Sequence, residues 1–422
     1  MRQSRINFTI TKPRSGDVVA GLSVALLALP QGLAYAELAG MPAKYGLYAA
    51  AIPSLLAAIF ASSPYLQTGP VALTALLAYG ALESLEKPFT EAYIELAALL
   101  ALIVGGIRLL LGICKLGGIA DLLTDAVILG FTNGAAILIV FSQLPKSLGV
   151  QSSDSGILRS GWEAITSPAL WHFGAITFSI LTILIVLGGR LLHRLFPGVL
   201  LAVVSGILIS YLVDYSGPVV GELSGSFVAL KFNFEWSSFG ELLLPGTIIA
   251  IVGFAEPAAI ARTFSKQDGS TWNPSKEFVS QGVANMASAV SNSFPVGGSF
   301  GRSSLNKVAG AKTPWSGAIT GAIVLSLLPL ASLLSELPSA ILGATVIWAV
   351  VKLIKPFDFL DLLKNDFGQA LIAIGTLVAT LLTAPRIDQG IVLGVLLSFI
   401  VYLFKKYQVK RGANENGSPV SR

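Results

Sequence analysis

Cysteine, histidine and charge are what this 422-residue sequence has least of. A single cysteine, Cys114, excludes an intrachain disulfide and any cysteine-based metal cluster. The two histidines, His172 and His193, fall at predicted helix ends, which argues against a transition-metal site. No nucleophile–histidine pair and no ligand cluster stands out, so neither an enzyme nor a resident cofactor is expected. Charged residues make up only 12% of the chain, where a soluble domain carries about 25%. With 54% hydrophobic residues and a mean hydropathy of +0.75, the chain cannot cover a water-facing surface. It reads as an all-α polytopic membrane protein. The net charge of +5 then reports orientation rather than nucleic-acid binding.

A spanning helix needs roughly 20 apolar residues. Runs of that kind occur at 16–37, 44–61, 70–82, 93–113, 122–145, 170–190 and 196–213, and again at 244–263, 277–292, 299–310, 316–335, 338–354, 367–384 and 387–405. The third run of each set is short. The first run is full length and lacks a small-residue cleavage site, so a spanning helix is expected there rather than a signal peptide.

Arg2, Arg5, Lys12 and Arg14 precede the first run, and Lys405, Lys406, Lys410 and Arg411 follow the last. Fourteen spans put both ends on one face, and the positive-inside rule makes that face cytoplasmic, in a cell (inner) membrane. Arg190 with Arg194, Arg262 with Lys266, and Lys352 with Lys355 fall on the same side, while the loop at 214–243 carries Asp214, Glu222, Glu235 and Glu241 outside. The expected organisation is a cytoplasmic segment 1–15, a first repeat 16–213, an outer loop 214–243, a second repeat 244–406 and a cytoplasmic tail 407–422. Seven is odd, so the halves cross the membrane in opposite senses. Two short, Gly/Pro-interrupted segments at matched positions point to a binding site between inverted repeats.

The first short segment is entered through Gln67-Thr68-Gly69-Pro70-Val71-Ala72-Leu73-Thr74, the second through residues 294–306, Phe-Pro-Val-Gly-Gly-Ser-Phe-Gly-Arg-Ser-Ser-Leu-Asn. Irregular backbone at membrane depth is tolerated only when buried in protein or lining a watery cavity. Two half-helix N-termini facing each other would offer N–H donors and dipoles to a small anion. Thr68 and Ser299 add hydroxyl donors or act as N-caps. Gly69, Gly298 and Gly301 either allow close packing or admit the ligand.

Arg302 is an arginine at mid-membrane, which marks a pathway or forms a structural pair. Glu256 lies about twelve residues into its segment, roughly 18 Å deep in a core about 30 Å thick. A carboxyl there could gain and lose a proton as access alternates, or pair with Arg302 to hold the repeats together. Gln31 occupies the matching place in segment one, and offers its amide to a substrate or to a neighbouring helix. Tyr35 lines the cavity or packs. Glu37, nearer the outer end, is expected to be solvated, and Asp121 and Asp125 to complement a helix dipole.

Several motifs here resemble the signature of the SulP sulfate-permease and anion-exchanger family. In the first half these are Pro30-Gln31-Gly32-Leu33-Ala34-Tyr35-Ala36, Leu38-Ala39-Gly40, Tyr45-Gly46-Leu47-Tyr48 and Thr68-Gly69-Pro70. In the second they are Gly253-Phe254-Ala255-Glu256, Phe294-Pro295, Gly298-Ser299, Arg302, Asn306 and Ala309-Gly310-Ala311-Lys312-Thr313-Pro314. The resemblance implies a seven-plus-seven inverted repeat divided into core and gate domains, with half-helices at positions three and ten. It implies elevator-like transport of sulfate, bicarbonate, chloride, oxalate or dicarboxylates. By motif position the anion site falls on Gln31, Tyr35, Val71, Ala72, Ser299, Phe300, Gly301 and Arg302.

Three departures stand out. Gly301 stands where many members have serine. Ile260 stands where sodium-coupled bicarbonate members have threonine, which argues against sodium. Family members usually continue into a STAS domain, which is expected to be absent here. The leading expectation is a proton-coupled sulfate symporter with Glu256 as proton carrier. Alternatives are a bicarbonate or dicarboxylate transporter, an anion channel or exchanger, or a voltage-responsive motor module; a nucleobase carrier fits two dipoles and Arg302 less well. The partners expected are a small inorganic or organic anion, protons and the lipid bilayer, with no nucleic acid, and a homodimer is compatible with this reading.

Overall fold

The structure, a computed structural model, describes residues 12–415 apart from 122–123, 152–155, 194 and 224–226. Arg2, Arg5, Arg194 and the side chains of Asp121, Lys405, Lys406, Lys410 and Arg411 lie outside the described residues. The first half holds α1 (Ser15–Leu38), α2 (Lys44–Phe60), β1 (Thr68–Gly69), α3 (Ala72–Leu82), α4 (Glu91–Ile113), α5 (Asp125–Leu148), α6 (Ile157–Thr166), α7 (Phe173–Leu192) and α8 (Gly198–Leu212). The second holds α9 (Phe239–Asp268), α10 (Pro274–Val290), β2 (Gly297–Gly298), α11 (Phe300–Val308), α12 (Trp315–Leu327), α13 (Ser339–Val351), α14 (Pro356–Asn365), α15 (Phe367–Leu382) and α16 (Ile387–Glu415). Among the described residues, eight helices are long and apolar enough to cross a membrane, and α2, α3, α8 and α15 are shorter apolar ones.

Each of the fourteen apolar runs falls on a helix, with two additions. The ten-residue helices α6 and α14 are too short and too polar to register as spans. They follow the fifth spanning member of their halves, so they obey the repeat. Each exposes apolar side chains, Trp162 and Ile165 on α6 and Phe357 and Leu360 on α14, as a helix lying in a membrane interface does. The last helix also continues past the end of its apolar run to Glu415. Lys405, Lys406, Gln408, Lys410 and Arg411 in this extension are good helix formers.

The packing shows the two-fold relation directly. Helix α4 packs along α10, the fourth member of one half on the second of the other, and α2 packs along α12 in the converse pairing. The pairs α5–α15 and α7–α13 are related in the same way, and β1 pairs with β2. Helices α1–α4 and α9–α12 form the core bundle; α5, α7, α8, α13, α15 and α16 form the gate bundle. The α4–α10 contact is backbone to backbone. A Cβ on Gly282 would sit 2.6 Å from the Leu109 nitrogen, and one on Gly105 would sit 2.7 Å from that of Met286. Small residues allow this approach in lipid, where helix association relies on close packing.

Glu37 departs from expectation. Its carboxylate is 2.6 Å from Lys146 Nζ, with the two side chains 13% and 30% exposed, so it is paired rather than solvated. Lys146 is in the last turn of α5, and the bridge therefore joins core to gate at the ends of α1 and α5. Reversing either charge alone is expected to lower the melting temperature of the purified protein, and the double reversal Glu37→Lys with Lys146→Glu to restore it. A double-mutant cycle should return a coupling of about 1–3 kcal/mol; a coupling near zero would reduce the bridge to a surface contact.

Candidate anion site

Two extended segments, one from each half, meet in the interior. Thr68 stands opposite Gly298 and Gly69 opposite Gly297 in an antiparallel crossing. Helix α3 departs from one arm at Ala72 and α11 from the other at Phe300, so both short helices begin beside the same crossing. Val71 and Ala72, buried at the start of α3, have no capping side chain. At α11 the Ser299 hydroxyl accepts the Arg302 N–H at 3.4 Å, and the Glu256 carboxylate accepts the Phe300 N–H at 3.3 Å. Ser299 is thus an N-cap. The Thr68 hydroxyl is turned to α10, where it accepts from Gln281 Nε2 at 2.7 Å.

Arg302 is 1% exposed, and among the described residues neither Nη1 nor Nη2 has a hydrogen-bond partner. Tyr35, buried on α1, and Glu256 are the ionisable groups close enough to interact with it. The guanidinium makes no hydrogen bond to Glu256 through these nitrogens. Gln31, one turn from Tyr35 on α1, is buried with its Oε1 also unpartnered. Buried polar atoms are nearly always satisfied, and orphaned ones have a specific reason.

The glycines divide by what surrounds them. A Cβ on Gly298 would meet Leu66 at 2.7 Å and Pro257 at 3.2 Å, so that glycine permits packing. A Cβ on Gly301 would meet nothing within 4 Å, and the neighbouring Phe300 is 50% exposed, so this turn borders open space. Gly69 has φ 153, and a Cβ there would lie 3.3 Å from Arg302 Nη2 and 3.2 Å from Ser54 Oγ. Gly69→Ala strains the backbone and pushes on the guanidinium together. It is expected to weaken anion binding about tenfold or more in a protein that still purifies as a single species. Unchanged affinity by isothermal calorimetry would show that Arg302 tolerates displacement.

Sequence reasoning missed the layer behind the crossing. Glu277, Gln281 and Asn285 recur every fourth residue along α10 and are all fully buried. Glu277 accepts the N–H groups of Ser62 and Ser63 at 3.2 and 2.9 Å, and Gln281 donates to Thr68. Asn285 accepts the Val296 N–H at 2.9 Å and donates to its carbonyl at 3.0 Å. Both arms of the crossing therefore hang on one helix. Asp17 is fully buried and accepts the Arg14, Lys312 and Thr313 N–H groups and the Thr313 hydroxyl, tying α1 to the turn before α12. Polar residues four apart in a buried helix were the available signal.

A model of the sulfate permease family matches residues 15–376. The chloroplastic sulfate transporter 4.1 of Arabidopsis thaliana is 32% identical over 404 residues, covering 92% of this chain and 58% of that protein. The chain thus spans 58% of the length of that relative. Among solved structures, the murine Solute Carrier 26 family member A9 anion transporter in the inward-facing state superposes with a TM-score of 0.83 at 22% identity, covering 94% of this chain and 70% of that one. The transmembrane domain of a cyanobacterium bicarbonate transporter, BicA, superposes at 0.76 and 23% identity, covering 91% and 96%. At those identities the two structures speak for the fold alone. Family match, sequence relative and seven-plus-seven architecture agree: the chain is a multi-span integral membrane protein that belongs to the sulfate permease family.

Proposed function

We propose that the chain binds sulfate, or an oxyanion like it, at the crossing of the two half-helices and carries it across the membrane with a proton. The observation that carries this reading is the buried Arg302 guanidinium, whose Nη1 and Nη2 are unpartnered beside the backbone from which α3 departs. Two helix N-termini and one arginine suit a charge that must be both held and released. The sulfate assignment follows the family and the name of the Arabidopsis relative. The separate packing of core and gate bundles supports an elevator-like displacement of one against the other. The positive-inside rule assigns Arg190, Lys266, Lys352 and Lys355 to the cytoplasm.

Glu256 supplies the coupling. Its carboxylate accepts the Phe300 N–H at the mouth of α11, a donor that a substrate oxygen would use. Protonation removes the competing charge and favours anion entry. A second reading, transport of a dicarboxylate, is favoured by the open space beside Gly301.

Uptake of labelled sulfate into proteoliposomes at two pH values tests this, with bicarbonate, oxalate and a dicarboxylate as competitors. Saturable sulfate uptake that accelerates with an inward proton gradient is expected. Conductance that neither saturates nor responds to the gradient would identify a channel instead, and dominant competition by a dicarboxylate would reassign the substrate.

A further inference from the structure

We propose that Arg108 is a positioning residue of the anion site, fixing the arm that presents α11 and adding an unpaired positive charge behind it. This rests on the reading of the crossing as an anion site. Arg108, on α4, is fully buried in the core bundle. Its Nε donates to the Ala250 carbonyl at 3.0 Å, its Nη2 to that of Ile249 at 3.1 Å, and its Nη1 to that of Val296 at 2.9 Å. All three acceptors are neutral, and among the described residues no carboxylate forms an ion pair with it. Burying an arginine without a counter-charge is costly. Packing alone does not call for an arginine at this place.

Its contacts say what it does there. Val296 immediately precedes β2 and lies four residues before the start of α11. Asn285 grips the same residue from the other side, through both its N–H and its carbonyl. Arg108 and Asn285 share the Val296 carbonyl, and together they set where Gly297, Gly298 and the first amides of α11 point. The other two bonds reach α9 between one and two turns before Glu256, so a single side chain joins the α9 carboxyl and the α11 mouth in one frame. Arginine keeps its proton in proteins. For any charge ~10 Å from an anion, an effective dielectric near 20 gives an effect on affinity on the order of tenfold.

Arg108→Gln, Arg108→Lys and Asn285→Ala, each in the full chain, separate the two contributions. The readouts are amide hydrogen exchange over residues 294–301 without anion, and the KM and maximal rate of sulfate uptake. Arg108→Gln should speed exchange there at least tenfold and raise KM about tenfold or more, with a smaller change in maximal rate. Asn285→Ala should reproduce the exchange effect with a weaker rise in KM, because the charge remains. Arg108→Lys should fall between.

A merely structural arginine would instead raise exchange throughout α4 and α9 and leave KM alone. Folded Arg108→Gln protein with wild-type exchange at 294–301 and wild-type KM overturns the proposal. Should that variant fail to fold, Asn285→Ala and Arg108→Lys decide by the same two measurements. If wild-type protein binds no sulfate, the proposed function falls, while the exchange data still report whether Arg108 holds the arm.

Discussion

Arg302→Gln should lose at least 100-fold in anion transport and, without anion, leave the protein more stable than the wild type. The two effects have one cause. The guanidinium is 1% exposed with Nη1 and Nη2 unsatisfied, so the folded protein carries a desolvated charge without compensation from hydrogen bonds at these nitrogens. A neutral amide of smaller reach relieves that cost, and a gain on the order of 1–3 kcal/mol is expected. The same exchange removes the arginine whose Nη1 and Nη2 are left free beside the crossing. Truncating one partner of a buried, hydrogen-bonded charge pair costs roughly 2–5 kcal/mol, which is about 30- to several-thousand-fold in affinity.

Arg302→Lys keeps the charge but not the planar fork, and should recover part of the binding. Thermal unfolding with and without sulfate reads the first effect, and labelled uptake reads the second. A structural arginine predicts the reverse sign for stability. Loss of transport together with a fall of several degrees in melting temperature would therefore return Arg302 to the scaffold.

How far the sequence carries can be judged from particular residues. Arg302 and Glu256 were visible because depth is a count along an apolar run, and a charge at mid-depth is rare. The crossing was visible because the third run of each half is short and begins after Gly and Pro. Arg108 obeyed the same rule as Arg302, being the sole basic residue of an apolar 23-residue helix whose two glutamates lie in its first turns, but no breaker motif drew attention to it. Glu37 was misread because its partner, Lys146, is 109 residues away, and depth says nothing about which segments become neighbours. Gly298 and Gly301 are the same residue three positions apart. One is wedged against Pro257 and the other faces open space, a difference set by helices remote in sequence. The α10 stripe lay hidden for a related reason. Polar residues at spacing four in a membrane helix identify a face, and only packing shows that both arms of the crossing hang on it.

Glu256→Gln is the second large effect, and its sign separates coupling from binding. In the wild type the Glu256 carboxyl holds the Phe300 N–H at 3.3 Å, so when ionised it places an internal anion on a donor at the mouth of α11. Substrate and carboxylate carry the same sign, and they disfavour each other at contact distance. Anion affinity of the wild type should therefore fall as pH rises through the titration of Glu256, and each anion that enters should bring a proton with it.

Glutamine is isosteric and its carbonyl can still accept the Phe300 N–H, but it carries no charge to be neutralised. The variant should bind sulfate at least as well as wild type at high pH, with a flat pH profile. It should support sulfate–sulfate exchange across the membrane and fail to accelerate when an inward proton gradient is imposed. The measurement is uptake in matched proteoliposomes with and without the gradient, alongside counterflow at fixed pH. Glu256→Gln transport that remains gradient-driven removes Glu256 as the proton carrier. Loss of counterflow as well would mean that the carboxylate is needed to shape the α11 mouth, and that the proton enters elsewhere.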